Sequence, residues 1–288
     1  MGMEKLITAN GVDLCTETFG DPADVPILLI GNTMLTWPDA LCERLAALRR
    51  FVVRYDLRGT GHSTTDDPEA PSHTLRDLVA DAAALLDALG LPRAHVVGAG
   101  PGGWIAQLLA LDHPARVATL TLIGTRPTAP GPADPDLPEH APELMQHFMS
   151  APRVDWTDRA SIVEFQLENA RHTGGGDFDE DEARTNIERV YDRTRPGGDH
   201  GAAHRADQMG TQFAALDCAP RWRERLPGMT APTLVVHGED DPFFPLGNAE
   251  ALAAEIPKAE LLVLPGTGSE LPCRTWPTVV PALIRHTS

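Results

Sequence analysis

Residues 5–8 and 12–19 alternate apolar and polar side chains on either side of Asn10 and Gly11, which predicts a β-hairpin closed by a type I′ turn. Beyond it the pattern changes. The apolar runs at 27–30, 51–55, 95–98, 117–123, 233–237 and 261–264 are continuous, as expected of parallel strands covered on both faces. Amphipathic stretches at 39–48, 75–89, 103–111, 248–255 and 276–286 separate the runs and are long enough to be crossover helices. This alternation predicts a doubly wound α/β sheet that begins antiparallel.

Between residues 126 and 212 the alternation breaks. Pro-rich and Gly-rich segments there surround helical patterns at 161–170, 181–191 and 201–213. The expected organisation is a core made of residues 1–125 and 213–288, interrupted by a mainly helical cap at 126–212. The cap is rich in Asp and Glu, which reads as a solvated face. A length of 288 residues fits one such domain with its insertion.

Composition narrows the partners. Asp plus Glu outnumber Lys plus Arg by 41 to 24, and a net charge of -17 repels nucleic-acid backbones and anionic membrane surfaces. No apolar run approaches a membrane span of roughly 20 residues or forms an N-terminal signal, so a cytoplasmic location is expected. Cys15, Cys42, Cys218 and Cys273 lack CxxC spacing, so no disulfide framework or zinc site is indicated. Other histidines, such as His62, His113, His147 and His172, lie without metal-ligand spacing, and no cofactor or metal is expected.

The run at 95–98 leads into Gly98, Ala99, Gly100, Pro101, Gly102 and Gly103, then an apolar helix. The glycines superficially match a dinucleotide fingerprint, but the N-terminal placement and the ribose-binding acid are lacking. The pattern instead suits a tight strand-to-helix turn, where a G-x-S-x-G motif would raise a serine above the sheet. Together with GNTMLTWPDA at 31–40, RYDLRGTGHSTT at 54–65, TLVVHGEDDPFFP at 233–245 and LPGTGSELP at 264–272, it resembles the α/β-hydrolase superfamily over nearly the whole chain. The similarity is to the anthracycline methylesterase group of aromatic polyketide tailoring proteins, typified by aclacinomycin methylesterase.

That resemblance implies an α/β-hydrolase fold and assigns positions to a triad. Gly100 stands where the family has its nucleophile, and Pro101 behind it has no N–H to serve as an oxyanion donor. Asp241 falls at the acid position, with Asp240 beside it, and Ser269 falls where the family has histidine. These departures lead to the expectation of a non-hydrolytic, cofactor-independent tailoring enzyme acting on a small aromatic, quinone-like substrate by carbon–carbon bond formation, elimination or isomerisation. The alternatives are an inactive protein that sequesters a polyketide or binds a partner protein, and an esterase with a relocated nucleophile.

Asp241 is then the leading proton-transfer group, since a carboxylate without a cationic partner can exchange protons near neutrality; it can equally be a turn-stabilising acceptor. Asn32, Thr33, Met34 and Leu35 are expected to line the pocket after the 27–30 strand. Trp37 and Trp104 are candidate stacking residues, although single tryptophans near such an elbow are more often core, and Gly100, Pro101 and Phe243 are further binding residues. His204, Gln208 and Gln212 share a helical stripe that faces either solvent, the default, or the cleft; in the cleft His204 would be a substitute acid or base. The substrate and the oligomeric state stay open.

Overall fold

In the computed structural model, which describes residues 4–65, 67–131, 133–150, 153–194 and 200–288, Asn10 and Gly11 both take positive φ (50° and 77°). They close the hairpin between β1 (Lys5–Ala9) and β2 (Val12–Phe19), with Ala9 opposite Val12, the two-residue turn expected of Asn-Gly. The chain continues through β3 (Val25–Ile30), α1 (Asp39–Ala47), β4 (Arg50–Tyr55), α2 (Leu75–Ala88), β5 (Ala94–Ala99), α3 (Pro101–Asp112) and β6 (Val117–Ile123). An insertion follows with α4 (Pro142–Ser150), α5 (Arg159–Thr173), α6 (Glu180–Arg193), α7 (His200–Met209) and α8 (Gln212–Ala215). The chain then returns as β7 (Thr233–Gly238), α9 (Gly247–Glu255), β8 (Glu260–Leu264) and α10 (Trp276–His286).

The eight strands form one sheet in the order β1-β2-β4-β3-β5-β6-β7-β8. The β1–β2 and β2–β4 pairs are antiparallel and the remainder parallel, as the continuous apolar runs predict. Successive strand residues enter opposite layers: Leu28, Ile30, Val53 and Val96 pack with α2, α3 and α9, whereas Ile27, Leu29, Val52 and Val97 pack with α1 and α10. Among the described residues no helix is long and apolar enough to cross a membrane.

The insertion departs from its sequence pattern in two places. Helix α4 has no counterpart among the expected helices, and the stretch expected as one helix at 201–213 is two. Gly210 at φ 61° ends α7, and α8 begins two residues later. The acidic outer face is as expected: Arg171 pairs with Glu168 and Glu180, and Arg184 with Glu164, all substantially exposed.

Among the contacts that tie the insertion to the strand-end loops of the core, three involve buried polar groups near the elbow side of the sheet. Arg193 donates to both oxygens of Asp56, the Asn32 amide donates to the carbonyls of Ala206 and Asp207, and the Gly61 N–H donates to Asp207 Oδ1 at 2.9 Å. Burial pushes Asp207 up to about 6, against the Gly61 N–H and the Thr194 hydroxyl that favour its anion. A carboxyl raised in the folded state binds its proton there before the unfolded chain does, so its contribution to stability falls as pH rises from about 4 to about 6. Asp207→Asn is therefore expected to remove that component, making thermal stability at pH 7 relative to pH 4.5 better than in wild type. Melting curves across this window check it, and parallel profiles would refute it.

Candidate functional site

The strand-to-helix elbow is built by close approach. A side chain at Gly102 would stand 2.1 Å from the Ile30 carbonyl oxygen, so only glycine lets α3 start hard against the end of β3. Gly100 sits at the apex with φ 53° and ψ −122°, a conformation that strains any residue with a Cβ, yet no atom lies within 4 Å of where that Cβ would be. Pro101 occupies the first helical position, where its fixed φ suits the helix start and its missing N–H costs no intrahelical bond. The elbow thus keeps its shape and opens onto free space. Gly100→Ser is expected to fit without a clash, to lower stability by about 1–3 kcal/mol through backbone strain, and to gain no labelling by a fluorophosphonate, since no base adjoins it; labelling at residue 100 would refute this.

Asp241 is buried at the end of the β7 loop. Its Oδ1 accepts from the N–H groups of Phe243 (2.8 Å) and Phe244 (3.0 Å) and from Ser269 Oγ at 2.5 Å. Its Oδ2 has no hydrogen-bond partner and lies 3.3 Å from His237 Nε2, which also meets the Phe244 carbonyl at 2.6 Å. With two acceptors before it, Nε2 is the protonated nitrogen of His237. The imidazole is wholly buried beneath the carboxylate, so it can orient Asp241 but cannot reach a substrate. Ser269, by contrast, is exposed, and its N–H is held by the Thr173 carbonyl of α5. The structure brings Asp241 and Ser269 together and adds His237, which the sequence pattern concealed inside a strand.

The remaining candidates divide. Trp37 and Met34 are buried in the core, Met34 with its N–H on Asp56, so the expected stacking role of Trp37 is corrected: it packs among Leu41, Cys42 and Leu45 of α1. Trp104 is likewise enclosed, edge-on to Phe213 and Phe244. Thr33 is buried at the start of a short 3-10 turn, Asn32 is engaged with α7, and Leu35 lines a smaller pocket beside Pro272. His204 lies flat against Tyr191 of α6, with ring centroids 4.3 Å apart, which makes it a packing element of the insertion. The solvent-facing default for its stripe is also corrected, because Gln212 is fully buried and Gln208 faces a cavity.

That cavity, about 430 Å³, is walled by residues of the insertion, with Phe243 of the Asp241 loop at one side. Phe148, Phe165, Ile187 and Phe243 form its apolar walls, and Gln166, Asn169 and Gln208 contribute amides. It adjoins the Asp241–Ser269 pair through Phe243, whose N–H holds Asp241, and through Thr173, whose carbonyl holds Ser269. Gln166, Asn169, Ala170 and Thr173 form an i, i+3, i+4, i+7 stripe on α5. The stripe is visible in the sequence, but its polar members give no sign of facing inward.

A family model described as alpha/beta hydrolase fold matches residues 29–271. The chain belongs to the α/β-hydrolase fold family. It is 32% identical to the rhodomycin D methylesterases DauP of Streptomyces sp. (strain C5) and DnrP of Streptomyces peucetius, over 98% of this chain and 97% of each relative. It is 31% identical to a putative carbamate hydrolase, RutD, of Variovorax paradoxus (strain S110), over 86% of both chains. Among solved structures it resembles 2-hydroxy-6-oxo-6-phenylhexa-2,4-dienoate hydrolase from Rhodococcus sp. strain RHA1, with a TM-score of 0.74 and 22% identity over 99% of this chain and 98% of that one. This last likeness is one of fold. The expected resemblance to the anthracycline methylesterase group therefore holds. The expected non-hydrolytic, bond-forming reaction does not, because these α/β-hydrolase relatives are methylesterases and hydrolases.

Proposed function

We propose that this protein hydrolyses an ester of a small, largely apolar substrate, of the aromatic polyketide methyl ester kind that the rhodomycin D methylesterases act on. The observation that carries this reading is the 32% identity to those enzymes along 98% of the chain. The cavity of about 430 Å³ beside Asp241 and Ser269 supports it, being within the size range of small-molecule sites. In this reading residues 126–212 act as a cap over residues 1–125 and 213–288.

Gly100 offers no side chain to acylate, so water is the attacking group. Ser269 Oγ gives its own hydrogen to Asp241 Oδ1, which leaves its lone pairs free to accept a hydrogen from water. As the water oxygen bonds to the ester carbon, its proton passes to Ser269 while the serine proton moves to Asp241. Collapse then breaks the carbon–methoxy bond, and the leaving oxygen takes up that proton as methanol departs. His237 and the two backbone N–H groups keep the carboxylate aimed at Ser269 throughout.

The experiment is mass spectrometry of rhodomycin D incubated with catalytic amounts of the pure protein. Methanol and the matching acid at many turnovers are the expected result, with no acyl-protein adduct. An unchanged ester would overturn the reading.

A further inference from the structure

One feature of the cavity is left over by hydrolysis. Gln166 is only 5% exposed, and its Nε2 has no hydrogen-bond partner although the rest of its surroundings are ordered into a relay. His147 Nε2 meets Asn169 Oδ1 at 2.9 Å, and Asn169 Nδ2 donates to Gln166 Oε1 at 3.4 Å. His147 is itself stacked on His172, with ring centroids 3.8 Å apart. With imidazole as donor, each group passes a hydrogen to the next, and the chain ends at the unpartnered Nε2 of Gln166, a residue that lines the cavity. A buried donor without an acceptor is costly, and natural proteins keep few of them.

We propose that Gln166 is a specificity residue that donates to a carbonyl oxygen on a planar, mainly apolar ligand bound in this cavity, with Asn169 and His147 as its positioning residues. The aromatic walls Phe148, Phe165 and Phe243 suit the ring faces. Acceptance is required of the ligand because the orphan group, Nε2, can only donate. The inference deepens the hydrolytic reading by naming the chemistry of the substrate body.

Equilibrium dialysis with 9,10-anthraquinone and anthracene tests it, since the two probes share their ring number and differ by two carbonyl oxygens. Wild type is expected to prefer the quinone. Gln166→Leu is expected to bind the quinone about tenfold more weakly while binding anthracene as before, and the near-isosteric Gln166→Glu, which cannot donate as a carboxylate, should show the same selective loss. His147→Leu should weaken the preference in part, as a residue acting through Asn169 would. Equal binding of the two probes, binding of neither, an unaffected Gln166→Leu, or preference for the donor 2-aminoanthracene would each overturn the proposal. None of the probes is an ester, so failure here leaves hydrolysis standing, and absence of methanol release leaves this inference standing.

Discussion

Arg193→Met is expected to destabilise the protein by about 3–5 kcal/mol, because it strands a buried carboxylate. Asp56 has no exposed side-chain surface, and Arg193 reaches Oδ1 at 3.0 Å and Oδ2 at 2.7 Å from the end of α6. The other donors to Asp56 are the N–H groups of Met34 and His62, which cannot neutralise its charge. The same guanidinium grips Glu4: burial opposes ionisation there, yet Arg193, with Cys15 and His62, holds that carboxyl down at about 2. Thermal unfolding is the check, with a fall on the order of 10 °C expected. A shift of roughly 2 °C or less would show that water replaces the guanidinium at little cost. Because α6 also walls the cavity through Ile187, substrate binding should weaken along with stability.

Asp241→Asn is expected to lower ester turnover by about 10²–10⁴-fold with little change in melting temperature, the magnitude typical of losing a general base. The asparagine oxygen can still accept from Phe243 and Phe244, so the turn before α9 is kept while the proton acceptor is lost. The separation of the two effects is the point of the measurement. If turnover survives, Asp241 is only a turn-stabilising acceptor and the proton goes elsewhere; if stability collapses as well, the anion itself holds the loop. Ser269→Ala provides the second arm. It should lower turnover without disturbing the backbone donors to Asp241, because its hydroxyl reaches only the carboxylate.

The architecture was legible along the chain wherever periodicity and burial coincide. Residues 27–30 are apolar throughout, 51–55 and 233–237 are so but for Arg54, Thr233 and His237, and all three form enclosed strands, while Asn10-Gly11 closes the hairpin as its backbone preference requires. The elbow was equally legible, because Gly102 and Gly100 each answer a local demand, one for close approach and one for positive φ. The pocket was not. Trp37 and Trp104 were candidates on residue type, but a large aromatic near a site is most often buried against the sheet, as both are here. Gln166 and Asn169 were missed for the opposite reason, since polar residues on a mainly polar helix read as solvent-facing.

The doubly wound sheet, its antiparallel edge and the glycine-built elbow could be read along the chain, because these depend on side-chain period and on backbone demands within a few residues of one another. The sequence also carried the family. Folding alone brings Ser269 to Asp241 from 28 residues away, puts His237 beneath that carboxylate, and sets Gln166 and Asn169 of α5 in the lining of a cavity. Those facts depend on where an insertion rich in surface charge comes to rest on the core. Among the contacts that hold it there are buried polar ones, Arg193 to Asp56, Asn32 to α7 and Gly61 to Asp207, whose partners are scattered along the chain and share no local pattern.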